Sequence, residues 1–310
     1  LSSAIASALA IGHQQRAMIS EEAGTGAARA IQLIDACCLA KAYVTAGIGK
    51  GVQLGKGCGP VVQTQFPSSH RHFPSIALLP RAKSSETPAF VPMLGATSLS
   101  EGEELKLGKI LPIVDSVEWV EWLSSVEGIT DLQLRIKNEK DPKTISSIIN
   151  KAQATCKSAG IRLWINDHWE AAISAGCFGV HLGQEDLAAC ADVGGLEKMQ
   201  KSGLALGIST HSYAELSAAL GVNPSYISLG PVFGTSSKSV AFDPQGLATV
   251  FKWRDLIKPD VPLVAIGGIG DAKTAKKVKK AGADCVAVIG AVTNANDINA
   301  AVEELVEAMS

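Results

Sequence analysis

Little in this chain points toward nucleic acid. Lys and Arg number 28 against 30 Asp and Glu, a formal net charge of −2, so the basic excess that draws a protein onto a phosphate backbone is missing. Aromatic residues make up only 5%, which leaves few platforms for stacked bases. No apolar run approaches the roughly 18 to 20 residues needed to cross a bilayer. The seven cysteines, Cys37, Cys38, Cys58, Cys156, Cys177, Cys190 and Cys285, show neither C-x-x-C spacing nor histidines at ligand distance, which argues against a structural zinc site or a redox motif. They are expected to be reduced thiols, most of them buried, in an intracellular protein. There is also no Ser, His and Asp arrangement that would activate a nucleophile. His70 and His72 fall in a Pro/Ser-rich stretch and read as loop, His168 and His211 start helices, and His181 reads as a core histidine with satisfied nitrogens.

Apolar residues make up 46% of the 310 and charged residues 19%, a core-forming composition long enough for two domains or for one barrel with an appendage. Three zones stand out. Residues 1–64 hold small-residue helices, the longest over 28–46, and end in a glycine-rich tail from Gly55 to Pro60. Residues 65–105 carry Pro67, Pro74, Pro80, Pro88 and Pro92 without periodicity and read as a linker. From residue 106 onward the pattern is regular. Short apolar runs recur at 110–114, 132–136, 163–165, 179–182, 205–208, 226–229, 263–266 and 286–289, separated by helical stretches such as 142–159, 168–175, 213–220 and 272–281. Near-continuous apolar strands are buried on both faces, as in a parallel sheet wrapped by helices. Eight such units predict an α/β fold, a (β/α)₈ TIM barrel. An open doubly wound sheet is the competitor, but the first βα turn, after Val114, has no glycine fingerprint for a dinucleotide.

In a barrel the chemistry sits at the carboxyl ends of the strands, and the polar clusters of this chain fall there. Gln133, Arg135 and Lys137 alternate along the second strand and project inward together. Arg135 suits bidentate contact with a phosphate, whereas Lys137 and Lys238 act as point charges. Asp167, beside Asn166, and Asp186, in Gly183-Gln184-Glu185-Asp186, end adjacent strands, so both carboxylates can share one hard cation such as Mg²⁺. The bland alternative for each aspartate is the N-cap of the next helix. Ser209 ends the fifth strand. Gly234-Thr235-Ser236-Ser237-Lys238 has the make-up of a hydroxyl-rich anion loop, and Gly267-Gly268 and Gly290 follow strands seven and eight, where barrels build phosphate sites. One mouth thus offers two anion sites, one suited to a metal-bound diphosphate and one to a monophosphate. No proton-transfer residue is demanded.

Residues 107–310 resemble thiamine-phosphate synthase. The matching stretches are Gln133-Leu-Arg-Ile-Lys137, Ile165-Asn-Asp167, Val180-His-Leu-Gly-Gln-Glu-Asp186, Leu206-Gly-Ile-Ser-Thr-His211, Leu229-Gly-Pro-Val-Phe-Gly-Thr-Ser-Ser-Lys238 and Ala265-Ile-Gly-Gly-Ile269, in order along nearly the whole barrel. The resemblance implies a transferase that joins hydroxymethylpyrimidine diphosphate to thiazole phosphate and releases diphosphate. It implies that Gln133, Arg135, Lys137, Asn166, Ser209 and Lys238 hold the pyrimidine substrate and its diphosphate. Asp167 and Asp186 would bind Mg²⁺, and Thr235, Ser236, Ser237, Gly268, Ile289 and Gly290 would hold the thiazole phosphate. Among these groups Arg135, Lys137 and Lys238 carry the catalytic role in the family's dissociative mechanism, in which a pyrimidinylmethyl cation is captured by the thiazole nitrogen. Three positions depart from the family pattern: Ile136 replaces a usual acidic residue, Gly290 a frequent serine and His168 a frequent arginine.

Residues 1–60 are similar to the carboxyl-terminal end of hydroxymethylpyrimidine-phosphate kinase, a ribokinase-like fold, through Leu1-Ser-Ser-Ala-Ile-Ala6 and Ala40-Lys-Ala-Tyr-Val-Thr-Ala-Gly47. The barrel is therefore expected behind a helical remnant of that domain, over 1–64, that has no kinase activity of its own and packs loosely. Kinase–synthase fusions in this order are typical of plants, which implies a multifunctional parent with a chloroplast destination. The partners implied are small molecules, with no nucleic acid and no membrane, and a homo-oligomer is compatible with everything above. Two other readings use the same fold: an isomerase like thiazole tautomerase, and a non-catalytic barrel that binds thiazole phosphate.

Overall fold

The computed structural model describes residues 3–7, 9, 32–57, 59–64, 68–78, 90–94, 105–234 and 243–310. Eight short strands, β1 (Ile110–Val114), β2 (Asp131–Leu134), β3 (Arg162–Asn166), β4 (Gly179–Leu182), β5 (Ala205–Thr210), β6 (Tyr226–Leu229), β7 (Leu263–Ile266) and β8 (Cys285–Val288), pair in parallel in chain order. β8 closes on β1 through Ile110 opposite Val286, Leu111 opposite Ala287 and Pro112 opposite Val288. The expected (β/α)₈ barrel is the architecture found, with strand ends within two residues of those read from the sequence.

Residues of one parity face the helices, and Leu132, Leu163, Val180, Leu206, Ile227 and Leu263 are all fully or almost fully buried there. The other parity fills the lumen. Its lower half is packed by Leu111, Trp164, Ala205, Tyr226, Val264 and Cys285, with Met93 and Leu107 entering from the segment before β1. Trp164 meets Phe178 and Tyr226 edge-on, at 5.2 and 4.9 Å between ring centroids. Two strand glycines make room for these rings. A Cβ at Gly179 would lie 2.6 Å from the Trp164 ring, and one at Gly207 only 2.1 Å from the Tyr226 ring.

The amino-terminal end of the barrel is clamped by Asp131, whose side chain is fully buried. It accepts hydrogen bonds from Arg162 Nε (2.8 Å) and Nη2 (2.5 Å), Trp164 Nε1 (3.0 Å), Thr130 Oγ1 (2.9 Å) and the Gly108 N–H (2.9 Å). A buried carboxylate needs this many donors to offset its lost hydration.

The described parts of the amino-terminal segment pack on the barrel, which differs from the loose packing expected of residues 1–64. The helix Leu33–Gly49 lies on the barrel helix Tyr213–Val222 and buries Asp35, Ala36, Leu39 and Ala42. Asp35 accepts the Ala214 N–H at 2.8 Å, so a carboxylate from one helix satisfies an orphan donor in the first turn of the other. Residues 68–78 run across the same helix. Ile76 donates its N–H to the Ser217 carbonyl (2.9 Å), Ser217 Oγ donates to the Pro74 carbonyl (2.8 Å), and Phe73 contacts the Tyr213 ring. Gly221 has to be glycine, since a Cβ there would sit 1.7 Å from the Ile76 carbonyl oxygen. The apolar partner that this segment lacks in its own sequence is supplied by the barrel.

Replacing Asp131 with alanine should lower the free energy of unfolding by roughly 3 kcal/mol, because Arg162 and Trp164 lose their acceptor in a buried setting. Denaturant titration of the two proteins checks this, and a loss below about 1 kcal/mol would mean that water replaces the carboxylate.

Candidate functional site

Above the ring layer the inward positions turn polar. Gln133 stands on β2, Asn166 on β3, His181 on β4, Ser209 on β5 and Ser228 on β6, while Leu111, Ile113, Val264 and Ile266 keep the β1 and β7 sides apolar. These residues, with Arg135, Asp167, Gly183, Asp186, Tyr226, Ala287 and Ile289, enclose a cavity of about 240 Å³ that opens at the carboxyl ends of the strands. Six of the expected site residues, Gln133, Arg135, Asn166, Asp167, Asp186 and Ser209, thus meet in one hollow, joined by Ile289.

Neither aspartate is an N-cap. The helix Trp169–Ala175 has His168 at that position and the helix Gln184–Asp192 has Gly183, and in neither case does a side chain cap the helix. Asp167 instead adopts φ +66°, a left-handed conformation costly for a residue with a side chain. It is held there by its N–H bonding to the His181 carbonyl at 3.0 Å, and by the Trp169 N–H bonding to its own carbonyl at 2.8 Å. Asn166 Nδ2 donates to the Asp167 carboxylate. Asp186 occupies the first turn of its helix, where the helix dipole favours a negative charge. Burial pushes the His168 pKa down while the Asp186 carboxylate pulls it partly back, so this imidazole is neutral at pH 7.

No group of three or more His, Cys, Asp or Glu suited to a metal occurs among the described residues. Two carboxylates without further protein ligands fit Mg²⁺ held jointly with phosphate oxygens and water, and do not fit a closed structural site.

Lys137 lies beside this cavity rather than in it. It lines an adjoining hollow with Asp115, Trp119, Arg135, Ile289, Thr293 and Asn294, and its Nζ is 3.8 Å from Asp115. Exposed ion pairs of this kind contribute under about 1 kcal/mol, so an incoming anion can draw Lys137 away. A third hollow is lined by Gly234, Gly267, Gly268, Gly270, Ile289, Gly290 and Ala291. It needs its glycines. Gly267 and Gly268 have φ +97° and +67°, and a Cβ on Gly268 would lie 2.6 Å from the Gly234 carbonyl oxygen. Its floor is the start of the short helix Gly290–Thr293, whose first N–H groups have no intrahelical partner. Gly268, Ile289 and Gly290 are therefore brought together as expected. Thr235, Ser236, Ser237 and Lys238 lie outside the described residues.

The three hollows adjoin through shared lining residues, Arg135 between the first two and Ile289 among all three, at the end of the barrel that the comparisons with known proteins also cover. The family model described as thiamine monophosphate synthase matches residues 111–292, more than half of the chain. The chain belongs to this family. The match begins inside β1 and ends in the short helix after β8, so it spans the barrel. Among similar proteins, the thiamine-phosphate synthase of Proteus mirabilis is 45% identical over 194 residues, 63% of this chain and 86% of that one. That of Serratia proteamaculans is 45% identical over 202 residues, 65% and 91% of the two chains. The solved structure of thiamine phosphate pyrophosphorylase from Pyrococcus furiosus superposes with a TM-score of 0.55 at 29% identity, covering 65% of this chain and 95% of the other.

In this member of the thiamine monophosphate synthase family, part of the cavity lining carries no plain mark in the sequence. Tyr226 and Ser228 hide in a strand that reads as plain core, although period-two alternation with Ser209 on the neighbouring strand is a usable signal. His181 is a satisfied histidine as expected, but it also lines the cavity. Asp115, the partner of Lys137, has no local signal at all.

Gly268→Ala should weaken binding of inorganic phosphate by tenfold or more, since the added methyl needs the Gly234 carbonyl to move and φ +67° is strained for alanine. Calorimetric titration checks it, and unchanged affinity would remove the third hollow as an anion site.

Proposed function

We propose that this family member joins hydroxymethylpyrimidine diphosphate to thiazole phosphate, giving thiamine phosphate and diphosphate. The observation that carries the reading is the meeting of the three hollows: Arg135 lines both the central and the Lys137 hollow, and Ile289 lines all three. A diphosphate leaving group, an aromatic ring and a monophosphate can therefore lie within one continuous mouth.

Arg135 takes the diphosphate bidentately and Lys137, released from Asp115, adds a point charge. Lys238 is assigned to the same anion by the family pattern. Asp167 and Asp186 would hold Mg²⁺, which when bound supplies charge neutralisation to the leaving diphosphate. The bond between the pyrimidine methylene carbon and the diphosphate oxygen breaks, and both electrons leave with the oxygen. The resulting cation faces Leu111, Ile113, Val264 and Ile266, which exclude water that would otherwise capture it. The thiazole nitrogen, positioned by its phosphate in the glycine hollow, then forms the new carbon–nitrogen bond. No side chain needs to move a proton. An isomerase acting on the thiazole alone would have no use for Arg135, Lys137 and two carboxylates arranged around a separate cavity.

The decisive assay is release of diphosphate from the pyrimidine substrate, expected only when thiazole phosphate and Mg²⁺ are both present. Release without thiazole phosphate, or no release at all, counts against the synthase. Asp167→Ala should reduce turnover by at least 10³-fold, as expected for loss of transition-state charge stabilisation, while thiazole-phosphate affinity changes less than about threefold. Equal loss of both would contradict separate sites for the two anions.

A further inference from the structure

Tyr226 and His181 stand behind Ser209, on the β4–β6 side of the lumen. Tyr226 is fully buried, and among the described residues the partner found for its hydroxyl is His181 Nδ1, at 2.8 Å. Burial drives the phenol pKa well above its usual 10, so the oxygen keeps its proton. A buried O–H with one partner donates to that partner, and Nδ1 is therefore the acceptor. An imidazole with a bare Nδ1 carries its hydrogen on Nε2. Nε2 lies 2.8 Å from Ser209 Oγ, to which it donates. Ser228 Oγ reaches the same oxygen at 3.4 Å. With its oxygen accepting, Ser209 is left to donate its own proton into the cavity it lines.

A second chain sets polarity on the β2–β3 side. The Asp167 carboxylate only accepts, so the Asn166 amide nitrogen turns toward it and the Asn166 oxygen is presented to Gln133. Gln133 Nε2 donates to Asn166 Oδ1 at 3.1 Å, which leaves Gln133 Oε1 as an acceptor.

We infer that Tyr226 and His181 are positioning residues that hold Ser209 as a hydrogen-bond donor, and that this donor and the Gln133 acceptor together select an aminopyrimidine over the corresponding oxopyrimidine. An aminopyrimidine edge presents a ring-nitrogen acceptor beside an amine donor, and each finds its complement. An oxopyrimidine presents a ring N–H beside a carbonyl, so donor meets donor and acceptor meets acceptor. A site built for hydrogen bonding rejects a mismatched group strongly, here by about 100-fold or more in kcat/KM. The inference rests on the pyrimidine diphosphate being the substrate. The histidine state beneath it does not.

Two measurements separate these. Nitrogen-15 NMR of the histidine rings in the full ligand-free chain, with the His181 signal assigned from its loss in His181→Asn, should show the ring carrying its hydrogen on Nε2, with Nδ1 bare. A hydrogen on Nδ1 overturns the inference whether or not the chain is a synthase. Kinetics with amino- and oxopyrimidine diphosphates then test selection. Tyr226→Phe should lose about tenfold in kcat/KM for the aminopyrimidine, the size of one neutral hydrogen bond. It should also narrow the amino/oxo ratio and leave the KM for thiazole phosphate unchanged. In a Ser209→Ala background the same change should add nothing. Additive losses with an unaltered ratio mean that the phenol merely packs, and overturn the positioning role.

Discussion

The depth of the cavity is set by how the lower lumen is filled. Trp164 and Tyr226 interleave there at 4.9 Å between ring centroids, a contact that exists only because β4 and β5 carry Gly179 and Gly207 opposite the rings. Interiors pack to near-crystalline density, so a floor of this kind holds one height and does not yield. Asn166, His181, Ser209 and Ser228 are each mounted one inward position above it, two residues after Trp164, Gly179, Gly207 and Tyr226. The Asp131 clamp works on the same layer from below, since it bonds Trp164 Nε1 at 3.0 Å and so fixes the ring that forms the floor.

This arrangement explains which parts of the molecule are legible in the sequence. Strands buried on both faces leave a continuous apolar signature, and all eight are recognisable from it. The site cations and carboxylates are legible for a related reason: Arg135, Asp167 and Asp186 interrupt or follow those runs where a barrel opens to solvent. The floor is not legible. A tyrosine in an apolar run has the same appearance whether its hydroxyl is idle or tuned by a histidine 45 residues away. The Asp131–Arg162 contact likewise depends on β2–β3 register, which brings together residues 31 apart, and neither residue has a local pattern that names the other.

The amino-terminal segment shows a different limit. Its composition marks a helix over 28–46, which the structure describes over Leu33–Gly49, but not what the helix packs on. Docking depends on Asp35 meeting the first turn of Tyr213–Val222 and on Gly221 admitting the Ile76 carbonyl, features separated by well over a hundred residues. That barrel helix follows β5, the strand that carries Ser209. The segment therefore braces the element behind one wall of the site, which gives it a structural role within the barrel whatever its ancestry.

Hydrogen-bond direction is the finest level at which the chain encodes its chemistry. An arginine or a lysine attracts any phosphate ester and carries no information about the ring attached to it. Ring identity has to come from neutral groups, and a hydroxyl or an amide is ambiguous until a neighbour fixes its polarity. At this site the ambiguity is removed from two ends: the Asp167 carboxylate, which can only accept, and the Tyr226 phenol, which burial keeps protonated. Charge and burial at the ends of the two chains thus decide what the neutral groups between them present to a ligand.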